Sequence, residues 1–193
     1  MARKRRPSFP GAIYHITSRG NRKEILFKDD TDRKMYLRLL KATNEKYPFT
    51  LHAYCLMTNH IHLLLETKES PTKDIMRYLH SRYATYFNQR HDLVGHVFQG
   101  RYHAEFIDSA TYFIEVSRYI HLNPVKSNLV DKPEHYSWSS YNAYCEKDFN
   151  NLPFLSTNRV LSFFEFSSTG AANAYSDFIN AKDDWVQDSA QNN

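Results

Sequence analysis

Cysteine is nearly missing from this chain of 193 residues, which has only Cys55 and Cys145. Ninety positions apart, the two make neither a disulfide framework nor a zinc-binding pair, so a reducing, cytoplasmic setting is expected. Long apolar runs are missing too. Nothing approaches the roughly 18 consecutive apolar residues of a membrane span, so no membrane partner is expected. The basic start, Arg3 to Arg6, meets Pro7 and Pro10 instead of the apolar core of a signal peptide. No internal repeat and no low-complexity tract occurs, which excludes solenoid and fibrous classes.

What is present fits a folded protein. Hydrophobic residues make up 41% and charged residues 24%, as in ordinary globular chains. The length allows one main core of about 120 to 130 residues and a smaller appendage. Aromatics reach 15%, a supply that suits a packed core and also base stacking. The net charge of +4 is modest but unevenly spread: residues 1–103 hold 19 Lys+Arg against 9 Asp+Glu, and residues 104–193 hold 6 against 12. A basic front half favours a polyanionic partner, and an ordinary solvated surface gives the same count.

Apolar periodicity orders the elements. Residues 2–10 are a basic, proline-punctuated arm. Ala12 to Ser18 alternates as a strand and ends in the cationic turn Arg19-Gly20-Asn21-Arg22-Lys23. Asp29 or Asp30 can cap a helix reaching about Lys46 before Pro48. Strands Thr50 to Met57 and His60 to Glu66 follow, joined tightly through Thr58 and Asn59. Ser70, as cap, and Pro71, in the first turn, start a helix running to about His91. Val97 to Ile107 alternates again with Gly100 inside it, a strand with a bulge. Asp108 or Ser109 caps a third helix that Pro124 should end near Asn123. Short helices are expected near 156–165 and 170–182. Strand, helix, strand, strand, helix, strand is the split βαβ order of ferredoxin-like folds. The fold class is therefore α+β, with a four-stranded antiparallel sheet, an added helix and a small helical C-terminal extension. The division is an arm over 1–10, a main domain over 11–130 and the extension over 131–193.

Within Asn59-His60-Ile61-His62-Leu63-Leu64-Leu65-Glu66, strand geometry sends His60 and His62 to one face and Ile61, Leu63 and Leu65 to the other. Two imidazoles on one face can hold a divalent ion, although many such pairs are only buried polar groups satisfied within a core. On the third helix, Tyr112, Val116, Tyr119 and Asn123 share a stripe, with Tyr119 and Asn123 one turn apart. These two could equally be a core-facing tyrosine and a helix cap. If the Asn123 carbonyl completes a His, His, Asn set, the ion keeps open positions for a phosphate oxygen beside Tyr119. A phenol with a pKa near 10 needs such help to attack. Tyr112, farther from Asn123, is the competing nucleophile. Arg3, Lys4, Arg5, Arg6, Arg19, Asn21 and Arg101 are candidate DNA contacts.

His60-Ile61-His62 together with Arg118-Tyr119-Ile120-His121-Leu122-Asn123-Pro124-Val125-Lys126 resembles the single-tyrosine HUH transposases, in particular the branch associated with repetitive extragenic palindromes (REP elements). Ser18-Arg19-Gly20-Asn21, Phe98-Gln99-Gly100-Arg101-Tyr102 and Tyr136-Ser137-Trp138-Ser139-Ser140-Tyr141 are similar to segments of the same family, and the likeness covers about residues 7–145. The resemblance implies a single-stranded DNA endonuclease and strand-transferase in which Tyr119 forms a 5′-phosphotyrosine link and frees a 3′-hydroxyl. It implies that His60, His62 and Asn123 bind Mg²⁺ or Mn²⁺, that the target is hairpin DNA with a short single-stranded flank, and that the protein is a monomer rather than a homodimer. Some relatives place glutamine where Asn123 stands. Two other functions are compatible with the residues: a catalytically silent hairpin-DNA-binding regulator, and a hydrolase using metal-activated water in which Tyr119 has no role.

Overall fold

The computed structural model describes residues 9–145 and 152–181. Four strands, β1 (Ile13–Arg19), β2 (Phe49–Leu56), β3 (His60–Thr67) and β4 (His103–Ile107), form one sheet in the order β2-β3-β1-β4, with every neighbouring pair antiparallel. Helices α1 (Asp30–Lys46), α2 (Thr72–His91) and α3 (Ala110–Lys126) complete the split βαβ plan with its added helix.

Alternation along the central strands decides which helix lies on which face. Tyr14 and Ile16 of β1 and Ile61, Leu63 and Leu65 of β3 pack with Tyr36 and Leu40 of α1 and with Ile75, Met76, Leu79 and Tyr83 of α2. Each such side chain, fully withdrawn from water, contributes about 1.5 to 3 kcal/mol. The opposite face carries Ile13, Leu64 and Ile107, which pack with Phe113, Val116 and Ile120 of α3. Because both faces are covered, β3 reads as an almost unbroken apolar run. Its two histidines fall on the α3 side.

Residues 136–145 and 152–181 close the α3 side and the edge of β2. Residues 138–140 run along that edge: Leu56 N–H donates to the Trp138 carbonyl at 2.9 Å, and Ser140 N–H to the Tyr54 carbonyl at 3.0 Å. Ser156 N–H donates to the Leu51 carbonyl at 2.8 Å. An edge strand paired in this way offers no template for another chain. The short helices α4 (Asn142–Cys145) and α5 (Asn158–Leu161) and the longer α6 (Ala171–Asn180) then add Tyr144, Val160, Tyr175 and Ile179 to the α3 core.

Three local expectations need correction. Only His103 to Ile107 of the 97–107 segment is strand. Gly100, at φ +136°, interrupts the ladder as the expected bulge, and beyond it the pairing resumes out of step as an isolated bridge of Phe98 with Gly20, the Phe98 ring stacking on His80 at 3.9 Å. Pro124 does not end the third helix. It is buried inside the last turn, which closes through Ser127 N–H to the Asn123 carbonyl at 3.0 Å and stops where Asn128 takes φ +54°. Ser70 does not cap α2: the N-cap is Pro71, whose carbonyl accepts from Asp74 N–H at 3.0 Å. Of the alternative caps, Asp29 accepts from Thr31 and Asp32 N–H on α1, and Ser109 accepts from Tyr112 N–H on α3. The basic arm Arg3, Lys4, Arg5 and Arg6 lies outside the described residues.

Candidate active site

The α3 face of the sheet presents a patch of histidines. The register sets Thr17 opposite His62 and Arg19 opposite His60, with His15 one pair further along β1, diagonal to His62. The His60 and His62 rings meet edge to face at 4.9 Å. His15 and His62 stack at 5.2 Å and share a hydrogen bond, Nε2 of His15 to Nδ1 of His62, at 3.0 Å.

Asn123 approaches from α3, its Oδ1 lying 3.3 Å from Nε2 of His60. The other nitrogen of His60, Nδ1, is 2.8 Å from Oδ1 of Asn59. Asn59 uses its amide nitrogen to donate to the Lys23 carbonyl at 3.2 Å, so its oxygen is left to accept and the proton of His60 belongs on Nδ1. A lone pair on Nε2 therefore faces the Asn123 oxygen. Two acceptors turned toward each other ask for a positive charge between them.

His62 adds a third donor to the set. It is 4% exposed, and its Nε2 is buried without a hydrogen-bond partner. Burial lowers the pKa of His60, against the opposing effect of its contact with Asn123, and lowers that of His62 far below the usual imidazole value. Burial likewise brings His15 down to about 4. All three rings are thus neutral near pH 7, the state in which imidazole ligates. Two imidazole nitrogens and an amide oxygen suit a divalent cation that retains open positions. Among the described residues no group of three or more His, Cys, Asp or Glu side chains forms a metal site, and here the third donor is an amide.

Tyr119, one turn before Asn123, sits with its ring edge-on to His15 at 5.8 Å and to His62 at 5.4 Å. It is 41% exposed and lines an open cavity of about 690 Å³ together with His60, His62, Arg19 and Arg101. Tyr112 does not line this cavity. Burial and a hydrogen bond with Glu105 raise its pKa, making it a weaker candidate for ionisation.

Of the residues singled out from sequence, His60, His62, Tyr119, Arg19 and Arg101 line one cavity, and Asn123 reaches it through its contact with His60. Asn21 stands outside the lining, and its backbone N–H donates to the Val97 carbonyl at 2.9 Å, holding the Gly100 loop against the β1 turn. Thr17, Gln99 and His103 also line the cavity and were not among the candidates. Gln99 and His103 share the polar side of their alternating segment with Arg101, a signal the sequence did contain. His15 shares a strand face with Thr17 and Arg19, but its link to His62 needs the strand register.

Residues 8–123 match the family model described as "Transposase IS200 like". Among solved structures, a REP-associated tyrosine transposase bound to a REP hairpin is similar over 81% of this chain and 98% of its own, at 17% identity and a TM-score of 0.67, a likeness of fold. A protein from Deinococcus radiodurans, named only provisionally as a transposase, is similar over 62% of this chain and 94% of its own, at 16% identity and a TM-score of 0.43. No curated protein matches the chain.

Proposed function

Because the chain belongs to the IS200-like transposase family, we propose that it cuts and rejoins single-stranded DNA with Tyr119 as the nucleophile. The phenol oxygen attacks a backbone phosphorus, the bond from phosphorus to the 3′-oxygen breaks, and the 5′-phosphate stays on the tyrosine. The phenolic proton passes to solvent, and the departing 3′-oxygen takes one up to become a hydroxyl. Attack by a 3′-hydroxyl on the phosphotyrosine reverses the bonds and joins strands.

His60, His62 and Asn123 would hold a divalent cation, Mg²⁺ or Mn²⁺, which supplies Lewis acidity at the phosphoryl oxygen. The observation that carries this reading is the convergence of three atoms able to ligate beside a half-exposed tyrosine: Nε2 of His60 and Oδ1 of Asn123 3.3 Å apart, and the buried, unpartnered Nε2 of His62. Arg19 and Arg101 on the cavity wall suit a polyanion and position its backbone. The structure of similar fold is bound to a REP hairpin, and we propose hairpin DNA with a single-stranded flank as the substrate here also, taken by a monomer. Among the described residues no helix is long and apolar enough to cross a membrane.

The test is a denaturing protein gel after incubation with labelled hairpin oligonucleotides and Mn²⁺ or Mg²⁺. A covalent protein–DNA band is expected for the wild type, and its loss on Tyr119→Phe or on chelation. Cleavage by both proteins with no covalent band would favour metal-activated water. Binding without cleavage of any hairpin would favour a silent regulator.

A further inference from the structure

We propose that His15 is a positioning residue that fixes the proton of His62 on Nδ1 and so keeps the Nε2 lone pair turned into the site. The proposal rests on the metal-site reading above.

The His15–His62 bond alone allows two arrangements, since either ring can donate across the 3.0 Å between Nε2 of His15 and Nδ1 of His62. If His15 donated, the His62 proton would sit on Nε2, a buried atom with no acceptor. A buried donor without a partner costs about 1 to 3 kcal/mol, and a protonated nitrogen cannot ligate. If His62 donates, its Nε2 carries a lone pair that a cation satisfies. His60 has the same arrangement from a different residue, with Nδ1 held by Asn59 and Nε2 facing the site. Both histidines are then gripped from behind at Nδ1, the outer-shell support that orients metal-binding imidazoles. The grip on His62 is rigid as well as directional. His15 lies on the central strand β1, is buried, stacks on the His62 ring at an interplanar angle of 22°, and meets the Tyr119 ring edge to face.

Mn²⁺ binding, read by electron paramagnetic resonance, tests this in wild type, His15→Phe, His15→Gln and His62→Ala. His15→Phe should weaken Mn²⁺ affinity about 10- to 100-fold, while His15→Gln, whose amide oxygen can accept from Nδ1–H, should recover most of it. Wild-type affinity in His15→Phe would overturn the role of His15. Wild-type affinity in His62→Ala would instead overturn the metal-site reading, so the two failures are distinct. Long-range ¹H–¹⁵N spectra of the metal-free wild type give a readout that needs no variant. The His62 proton is expected on Nδ1, and a proton on Nε2 would overturn the proposal.

Discussion

Single residues hold this site in place through contacts that are unforgiving of small changes. Gly20 shows this at the cationic turn. A methyl group there would lie 2.1 Å from the Glu24 carbonyl oxygen, a backbone atom that cannot swing aside. Gly20→Ala should therefore destabilise the protein by about 1 to 3 kcal/mol, measured as a lower midpoint in urea, and should displace Arg19 from the cavity wall. The grouping of the candidate residues was legible in the sequence because it rests on two fixed periods. Alternation in β3 sends His60 and His62 to one face, and a four-residue step on α3 stacks Tyr119 and Asn123. His15 and Asn59 were not assigned roles. Their contribution is a hydrogen bond to the back of a ring, and this appears only once β1 is paired with β3 in the right register.

Between elements, α1 and α2 are joined by a buried carboxylate. Asp32, fully withdrawn from solvent, accepts from Arg90, from His91 at 3.0 Å and from the Lys28 N–H at 2.8 Å. Burial alone would raise its pKa. The bonds from Arg90, Lys28 and His91 outweigh that and hold it below the ordinary carboxylate value. A carboxyl more acidic in the folded state than in the unfolded one stabilises the fold above the unfolded pKa of about 4, and the stabilisation is lost as pH falls toward the folded value. Chemical denaturation at stepwise lower pH should thus show a steep acid limb. Asp32→Asn should destabilise the fold by about 1.5 to 3 kcal/mol at neutral pH, since the buried side chain loses charge-assisted bonds with Arg90 and His91, and should flatten that limb. A second buried network ties α3 to its surroundings: His121 bonds to Tyr175 of α6 at 2.7 Å and to Ser140 at 2.8 Å, and Ser140 Oγ accepts from the Tyr54 N–H at 2.9 Å. Through these bonds His121 and Ser140 fix α3 against β2. Helix and strand order was legible from periodicity. The bounds at Pro124 and Gly100 were not, because the last turn of α3 still closes past Pro124 through the Ser127 N–H, and beyond Gly100 only an isolated bridge of Phe98 with Gly20 continues the pairing.

For the whole molecule, two of the cations of the basic front half find a place at the site. Arg19 at the end of β1 and Arg101 before β4 meet on one cavity wall although 82 positions separate them. Replacing either with Ala should weaken hairpin binding and lower the slope of log affinity against log salt by about one. Fluorescence anisotropy across a salt series would show it, and an unchanged slope would remove that arginine from the backbone contacts. The acidic later half supplies the packing of α6 on α3, and composition gave no hint of this because the contacts are made by Tyr175 and Ile179 and not by charge. One measurement bears most directly on the central claim that Tyr119 forms the bond to DNA. The protein is incubated with Mn²⁺ and a cleavable hairpin, digested with protease and nuclease, and the modified peptide is sequenced by mass spectrometry. The expected result is a nucleotide joined through its 5′-phosphate to Tyr119. A nucleotide on Tyr112, or cleaved DNA with no modified tyrosine, would contradict it.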